Sequence, residues 1–150
     1  MKSIELYVPA ALRILLGLIF FVFGLNGFLH FLPQPPMPGP PGAFFGALAA
    51  TGYMLPLLKG TEVLAGALLL SNRFVPLALT LLAPVIVNIV LFHAALAPAG
   101  IALPIVLVVI EIALAWSYRA AFRPLLAARA LPMAPDGDAA RRDVPATAQA

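Results

Sequence analysis

Ionisable and amide side chains stand at intervals inside otherwise apolar stretches of this chain, and their types are those that exchange protons or bind small ligands. The set comprises Asn26, His30, Lys59, Glu62, Asn88, His93 and Glu111. Histidine changes its charge near neutral pH, and a carboxyl group in apolar surroundings can hold or release a proton. We therefore expect these residues to serve in ligand binding or proton transfer.

The spacing of the polar residues decides which of them share a helix face. Asn26 and His30 are four residues apart, so they lie on one face of a helix. Asn88 and His93 are five residues apart, which turns them away from each other by roughly 140°. No HxxxH or ExxH spacing brings histidine and glutamate together, so a metal site is not expected.

Each of these residues also has a purely structural interpretation. Lys59 and Glu62 lie one helical turn apart and can simply neutralise each other. Asn26 and Asn88 favour helix-to-helix hydrogen bonds over ligand contacts. Glu111 has no basic residue within a turn on its own helix, so it needs a proton, water or a cation across the bundle such as Lys59.

Composition indicates that lipid is part of the solvent of this chain. Of its 150 residues, 63% are hydrophobic and 10% are charged, against about 45–50% and about 25% in soluble domains. The net charge is +3, but the basic residues mostly flank apolar segments, which is typical of membrane orientation and not of nucleic-acid binding. The chain has no cysteine, which excludes disulfides, CxxC redox chemistry and thiolate metal sites.

Four long apolar segments carry the polar residues, at about residues 8–32, 52–70, 74–97 and 101–118. Each is near the roughly 17–25 residues that cross a bilayer as a helix. The predicted fold class is all-α, a transmembrane four-helix bundle over residues 1–120. Residues 121–150 are predicted to form an interfacial segment and then a disordered cytoplasmic tail. The first segment is too long for a cleaved signal peptide, so we expect a retained helix.

Basic residues set the predicted orientation. They lie at the start of the chain, between the second and third segments and after the fourth, at Lys2, Arg13, Arg73, Arg119, Arg123, Arg129, Arg141 and Arg142. The loop after the first segment has six prolines within residues 33–41 and no Lys or Arg. The positive-inside rule therefore predicts that both termini are cytoplasmic. Arg13 is expected to be an orientation anchor that snorkels to the inner interface.

Depth along the helices predicts one site. Both glutamates fall near mid-membrane and both histidines fall toward the outer ends of their helices. We expect Glu62, Glu111, His93 and His30 to border one outward-opening pocket, roofed by the loop at 33–42. A short helix is expected at 43–50, on or dipping into the outer surface. Close packing is favoured by small residues in the first two segments, at Gly17, Gly24, Ala65, Gly66 and Ala67.

Three stretches resemble the DoxX family of small four-helix membrane proteins: ALRILLGLIFFVFGLNGFLHF, GTEVLAGALLLSNRFVPLAL and IVNIVLFHAAL. Arg13, Glu62 and His93 match the arginine, glutamate and histidine of that family's pattern, and the resemblance covers roughly residues 8–120. The family name comes from a small subunit of a quinol-oxidising, thiosulfate-linked complex, so the resemblance implies a redox-associated role. The expected location is the bacterial inner (cytoplasmic) membrane.

Three functions are compatible with these features. An accessory subunit of a quinone-linked membrane redox system would hydrogen-bond a quinone head in the pocket and relay its protons. It would be a non-autonomous part of an oxidoreductase, with electrons from a redox partner protein, because no motif for flavin, haem or an iron–sulfur cluster is present. No covalently bound cofactor and no nucleic-acid partner are expected. The alternatives are a membrane assembly or scaffold module and a carrier for a proton or small solute, and a homo-oligomer stays open.

Overall fold

The computed structural model describes residues 2–33 and 35–128, and every regular element in them is helical. The α-helices of this part of the chain are α1 (Lys2–Leu29), α2 (Pro40–Ala50), α3 (Met54–Leu70), α4 (Val75–Leu96), α5 (Ala102–Ser117) and α6 (Arg119–Phe122). Short 3₁₀ turns occupy Pro98–Gly100 and Pro124–Leu126. The predicted all-α class is confirmed for the described residues. The predicted tail lies outside them from residue 129 onward.

The four long helices α1, α3, α4 and α5 pack into a closed bundle. α1 and α4 each contact both α3 and α5. α3 runs antiparallel to α1, because Gly17 lies against Leu69 whereas Gly24 lies against Val63. Short connections at 71–74 and 97–101 then reverse the chain between α3, α4 and α5. We call the end with the start of α1 and the 71–74 turn the basic end, and the end with residues 30–39 and α2 the proline end.

Glycines set the close approach of α1 and α3. A Cβ atom added at Gly66 would lie 2.6 Å from the backbone nitrogen of Phe21 and 2.9 Å from the carbonyl oxygen of Gly17. A Cβ atom at Gly24 would lie 2.9 Å from the backbone nitrogen of Val63. These neighbours are backbone atoms and cannot move aside, so only glycine permits this spacing. Of the small residues in the first two segments, Gly17, Gly24 and Gly66 therefore lie where the two helices are closest.

The bundle is as apolar outside as inside. Its buried core consists mainly of leucine and isoleucine, including Leu16, Leu69, Leu79, Leu82, Ile86, Leu107 and Leu114. Large apolar side chains also cover the outer surface, and on α5 these include Val109, Ile112 and Trp116. Such a surface is consistent with contact between the helices and lipid.

Two segments are long and apolar enough to cross a membrane, Tyr7–Leu29 of α1 and Val75–Leu96 of α4. α2 and α3 qualify together, but they are bent by 94° at the break between them. The described residues therefore contain two candidate spans, or three if the bent pair is counted, whereas the sequence predicted four. The difference arises because α3 and α5 have 17 and 16 residues, at the lower limit of the roughly 17–25 that a span needs.

The first predicted helix differs from α1 at both ends. α1 begins at Lys2 and not near residue 8, because hydropathy locates only the apolar part of a helix. It ends at Leu29 and not near residue 32, because His30 has a left-handed φ of 51° and a proline follows at Pro33. The short helix expected at 43–50 is present within α2, whose first residue is Pro40.

Candidate functional site

A cavity of about 230 Å³ lies inside the proline end of the bundle. It is walled by all of the helices from α1 to α5, and its apolar walls include Ile19, Phe20, Phe23, Leu58, Leu103 and Leu107. Its polar side chains are Lys59, Glu62, Asn88 and His93. Pockets for whole drug-sized ligands measure about 300–1,000 Å³. This cavity therefore fits a small molecule or one head group.

Lys59 and Glu62 form a bidentate ion pair at the cavity wall. The Lys59 Nζ atom donates to Glu62 Oε2 at 2.8 Å and to Oε1 at 3.0 Å. The Glu62 side chain is 5% exposed and that of Lys59 is 25% exposed. An ammonium group has three hydrogens, and the two contacts with this carboxylate use at most two of them. The third is available to an acceptor in the cavity.

The ring of His93 is held by its own helix and by the turn that follows it. Its Nδ1 atom lies 2.8 Å from the carbonyl oxygen of Ile89. A carbonyl can only accept, so Nδ1 carries a hydrogen and donates it. On the other side, a Cβ atom added at Gly100 would lie 2.8 Å from the ring Cδ2 atom. Nε2 is the ring nitrogen left for proton exchange or for a ligand.

Aromatic rings of α2 and α4 close the cavity at the proline end. The ring of Phe92 lies 5.5 Å from Phe44 and 5.1 Å from Phe45, centroid to centroid, and 5.2 Å from the ring of His93. The roof is therefore α2, whereas the sequence predicted the loop at 33–42. Residues 35–39 of the loop are exposed and do not line the cavity, whereas Phe44 and Phe45 of α2 do.

The two asparagines have different surroundings, and neither joins two helices. Asn26 is 2% exposed, and its Oδ1 atom accepts a hydrogen bond from the backbone nitrogen of Leu32 at 2.7 Å. It therefore fixes the chain just beyond α1. Asn88 is exposed on α4 and borders the cavity. The helix-to-helix hydrogen bonds expected for both are not formed within the described residues.

Glu111 and His30 do not border the cavity, so the predicted four-residue pocket is only half assembled. His30 is exposed at the end of α1, where its left-handed φ of 51° ends the helix. Glu111 is half-buried on α5, and its Oε2 atom is buried without a hydrogen-bond partner in the described part of the chain. The cation proposed for it, Lys59, is paired with Glu62 instead. The depth of each residue along its helix was enough to predict that Glu62 and His93 border one cavity. Depth does not specify how α5 is rotated about its axis, and this rotation turns Glu111 away from the cavity.

Arg13 binds the end of a neighbouring helix. Arg13 is 8% exposed, and its Nη1 atom donates to the carbonyl oxygens of Leu69 and Leu70 in the last turn of α3. The Leu69 carbonyl also accepts from the backbone nitrogen of Asn72 at 3.2 Å, and a cation beside the carbonyl end of a helix is favourable. Arg13 thus acts structurally by capping α3, whereas the sequence predicted an anchor that snorkels to the inner interface.

Sequence reasoning did not identify the aromatic roof. Phe44, Phe45 and Phe92 are apolar residues in apolar helices, and such residues give the same pattern whether they face lipid or a cavity. The only signal was the adjacent pair of phenylalanines in a short helix. It carries no information about the bend between α2 and α3, which brings the pair over the cavity.

Neither a protein-family model, nor a curated protein, nor a solved structure matches this chain. Within the described residues, no group of three or more His, Cys, Asp and Glu side chains could hold a metal ion.

Proposed function

We propose that this chain is an integral membrane protein whose cavity binds a quinone head group, as a non-autonomous accessory subunit of a quinone-linked redox system. One observation carries the proposal. The Lys59–Glu62 pair, Asn88 and His93 converge on a small cavity that is otherwise lined by aromatic and aliphatic side chains. Few polar groups in an apolar cavity are typical of sites for ligands that are mostly apolar.

The chemistry of a quinone head fits these side chains. Its carbonyl oxygens accept hydrogen bonds, and the third hydrogen of the Lys59 ammonium and the amide of Asn88 can supply them. Its flat ring can pack against the rings of Phe44, Phe45 and Phe92. A volume of about 230 Å³ accommodates the head group alone, so an isoprenoid tail would extend between the helices into lipid.

Protons and electrons would follow different routes. His93 lines the cavity, and its Nε2 atom makes no hydrogen bond within the described residues, which would suit exchange of a proton with the outer side. Electrons would come from a partner protein, since the chain has no cysteine and its described part has no cluster of metal-binding side chains. Reduction or oxidation of the quinone would thus be shared between two proteins.

The proposed setting is a bacterial inner membrane, crossed by α1, α3, α4 and α5 with both termini in the cytoplasm. α3 lies along α1 in the opposite direction, from Leu69 to Lys59. Such alternation of helix directions around the bundle supports four crossings. Arg13, Arg73 and Arg119, three of the four described arginines, belong to the basic end, which supports the orientation. We further propose a relationship to the DoxX family, whose arginine, glutamate and histidine positions correspond to Arg13, Glu62 and His93.

Binding of ubiquinone-1 to purified protein in detergent tests the proposal, with the two histidines as a matched pair. His93→Asn should weaken binding of the reduced form, ubiquinol-1, about three- to tenfold, because the Nε2 acceptor for a quinol hydroxyl is lost. His30→Asn makes the same chemical change outside the cavity, at a left-handed position that asparagine tolerates, and should bind as the native chain does. Organic extracts of the native protein should also contain quinone.

Failure to bind ubiquinone-1, or equal binding by both variants, would contradict the proposal. The scaffold function would then be favoured, because Lys59 and Glu62 already satisfy each other through two hydrogen bonds. A protein that copurifies in a fixed ratio, with no quinone in the extract, would identify that function.

A further inference from the structure

A second concave site opens at the basic end of the bundle, away from the cavity. It is a groove of about 760 Å³ between residues 9–13 of α1, the 71–74 turn and the end of α5. Its polar and aromatic side chains are Arg13, Asn72, Trp116, Ser117, Tyr118 and Arg119. We call it the basic groove, and none of its described lining residues is acidic.

The first of its two arginines is held rigidly. Arg13 is 8% exposed, and only its Nη1 atom is bonded to described residues, at the carbonyl oxygens of Leu69 and Leu70. A guanidinium has five N–H donors and cannot lose its charge. The Nε and Nη2 donors therefore remain for a ligand in the groove, and carbonyl oxygens do not neutralise the positive charge.

The second arginine is held in a similar way at the end of another helix. Arg119 Nη1 donates to the carbonyl oxygen of Trp116 at 3.0 Å, and its guanidinium carbon lies 5.3 Å from the centre of the Trp116 ring. Both contacts orient the guanidinium, and neither neutralises its charge, because the partners are a carbonyl oxygen and an indole ring. Two oriented positive groups thus face one groove, and Ser117 and Asn72 add a hydroxyl and an amide.

Guanidinium groups of this kind bind phosphate oxygens well, because their parallel N–H donors match the spacing of those oxygens. The neighbouring surface indicates what carries the phosphate. Trp116 is 70% exposed, and tryptophan and tyrosine are enriched where a membrane meets water. Along α5 from Trp116, Ile112 and Val109 are also exposed and apolar, which provides a path for acyl chains.

From these contacts we infer that the basic groove binds the phosphate group of an anionic membrane lipid, with Arg13 and Arg119 as its ligands. The acyl chains lie along the exposed face of α5. The inference requires only that the basic end lies at a membrane surface, and it does not depend on quinone binding in the cavity.

Lipid binding to the delipidated protein tests the inference. The probes are dihexanoyl-phosphatidylglycerol, dihexanoyl-phosphatidylcholine and inorganic phosphate, followed by native mass spectrometry and by thermal shift. Phosphatidylglycerol should bind more tightly than the other two. Arg119→Gln should weaken its binding about tenfold, since a charge-assisted hydrogen bond and one positive charge are lost. Arg119 is exposed, so the melting temperature without lipid should change little.

Arg73→Gln is the matched control. Arg73 is an exposed arginine in the 71–74 turn, next to Asn72, but it does not line the groove. It should bind phosphatidylglycerol as the native chain does. An equal loss in both variants would show a general effect of surface charge and overturn the inference, as would native affinity in Arg119→Gln. If inorganic phosphate binds as tightly as phosphatidylglycerol, a free phosphate and not a lipid is the ligand.

Discussion

The ion pair of Lys59 and Glu62 is compatible with both a structural and a ligand-binding role. It neutralises two charges, and it also places a hydrogen-bond donor at the cavity wall. Removing one partner leaves a buried charge unpaired, which costs about 3–5 kcal/mol, whereas replacing both by apolar residues is often neutral. We therefore expect Lys59→Met and Glu62→Met each to lower the unfolding temperature in detergent strongly. The double variant should be more stable than either single variant.

The same variants separate structure from ligand binding. A double variant that is stable but no longer binds ubiquinone-1 would place the pair in the ligand site. Losses of stability that simply add would show that Lys59 and Glu62 act independently, in contradiction to the bidentate contact.

For Asn26 we expect an effect on stability alone, because its side chain bonds only to the chain just beyond α1 within the described residues. Asn26→Leu would leave the backbone nitrogen of Leu32 without its acceptor, at a cost of about 1–3 kcal/mol. We expect a lower unfolding temperature in detergent, with ubiquinone-1 affinity unchanged in the folded protein. A loss of affinity without a loss of stability would instead assign Asn26 to the ligand site.

At the scale of helices, the contact between α1 and α3 depends on the absence of a side chain at Gly66. Gly66→Ala would drive a Cβ atom into the backbone of α1, and overpacking of this kind costs about 1–3 kcal/mol. Gly60→Ala is the control on the same helix, because a Cβ atom there meets nothing within 4 Å. It should be neutral or stabilising by up to about 1 kcal/mol, from helix propensity.

Unfolding of both glycine variants in the same detergent checks this. Equal stability of Gly66→Ala and Gly60→Ala would mean that the two helices are not in close contact. The comparison does not depend on any assumption about function, since neither glycine lines the cavity.

The helices themselves were predictable, because long apolar stretches with few charges leave little else for the chain to form. The pairing of Glu62 with Lys59 followed from one helical turn of spacing. The aromatic roof was not predictable from the sequence, because it depends on the 94° bend between α2 and α3. Gly52 in this bend has a φ of 74°. Glu111 was misplaced because the rotation of α5 is set by its packing against α1 and α4, and no local pattern records that rotation.

At the scale of the whole molecule, the distribution of arginine predicts the topology. Because the native chain has no cysteine, single cysteines report exposure to either side of the membrane without background. An impermeant maleimide applied to intact cells should label Pro38→Cys in the proline end and not Ser71→Cys in the basic end. The reverse pattern would show that the orientation is inverted, and labelling of both would show that α3 does not separate the two ends across the membrane.

The roof helix α2 has no buried residue, and this has a consequence for how a ligand exchanges. In water, the hydrophobic effect would press Phe44 and Phe45 onto the bundle and keep the entrance shut. Within a bilayer that force is absent, because acyl chains solvate the two rings as well as protein does. Entry and exit rates would then follow the fluidity and thickness of the surrounding lipid, while the affinity of the closed site would still be set by Lys59, Asn88 and His93.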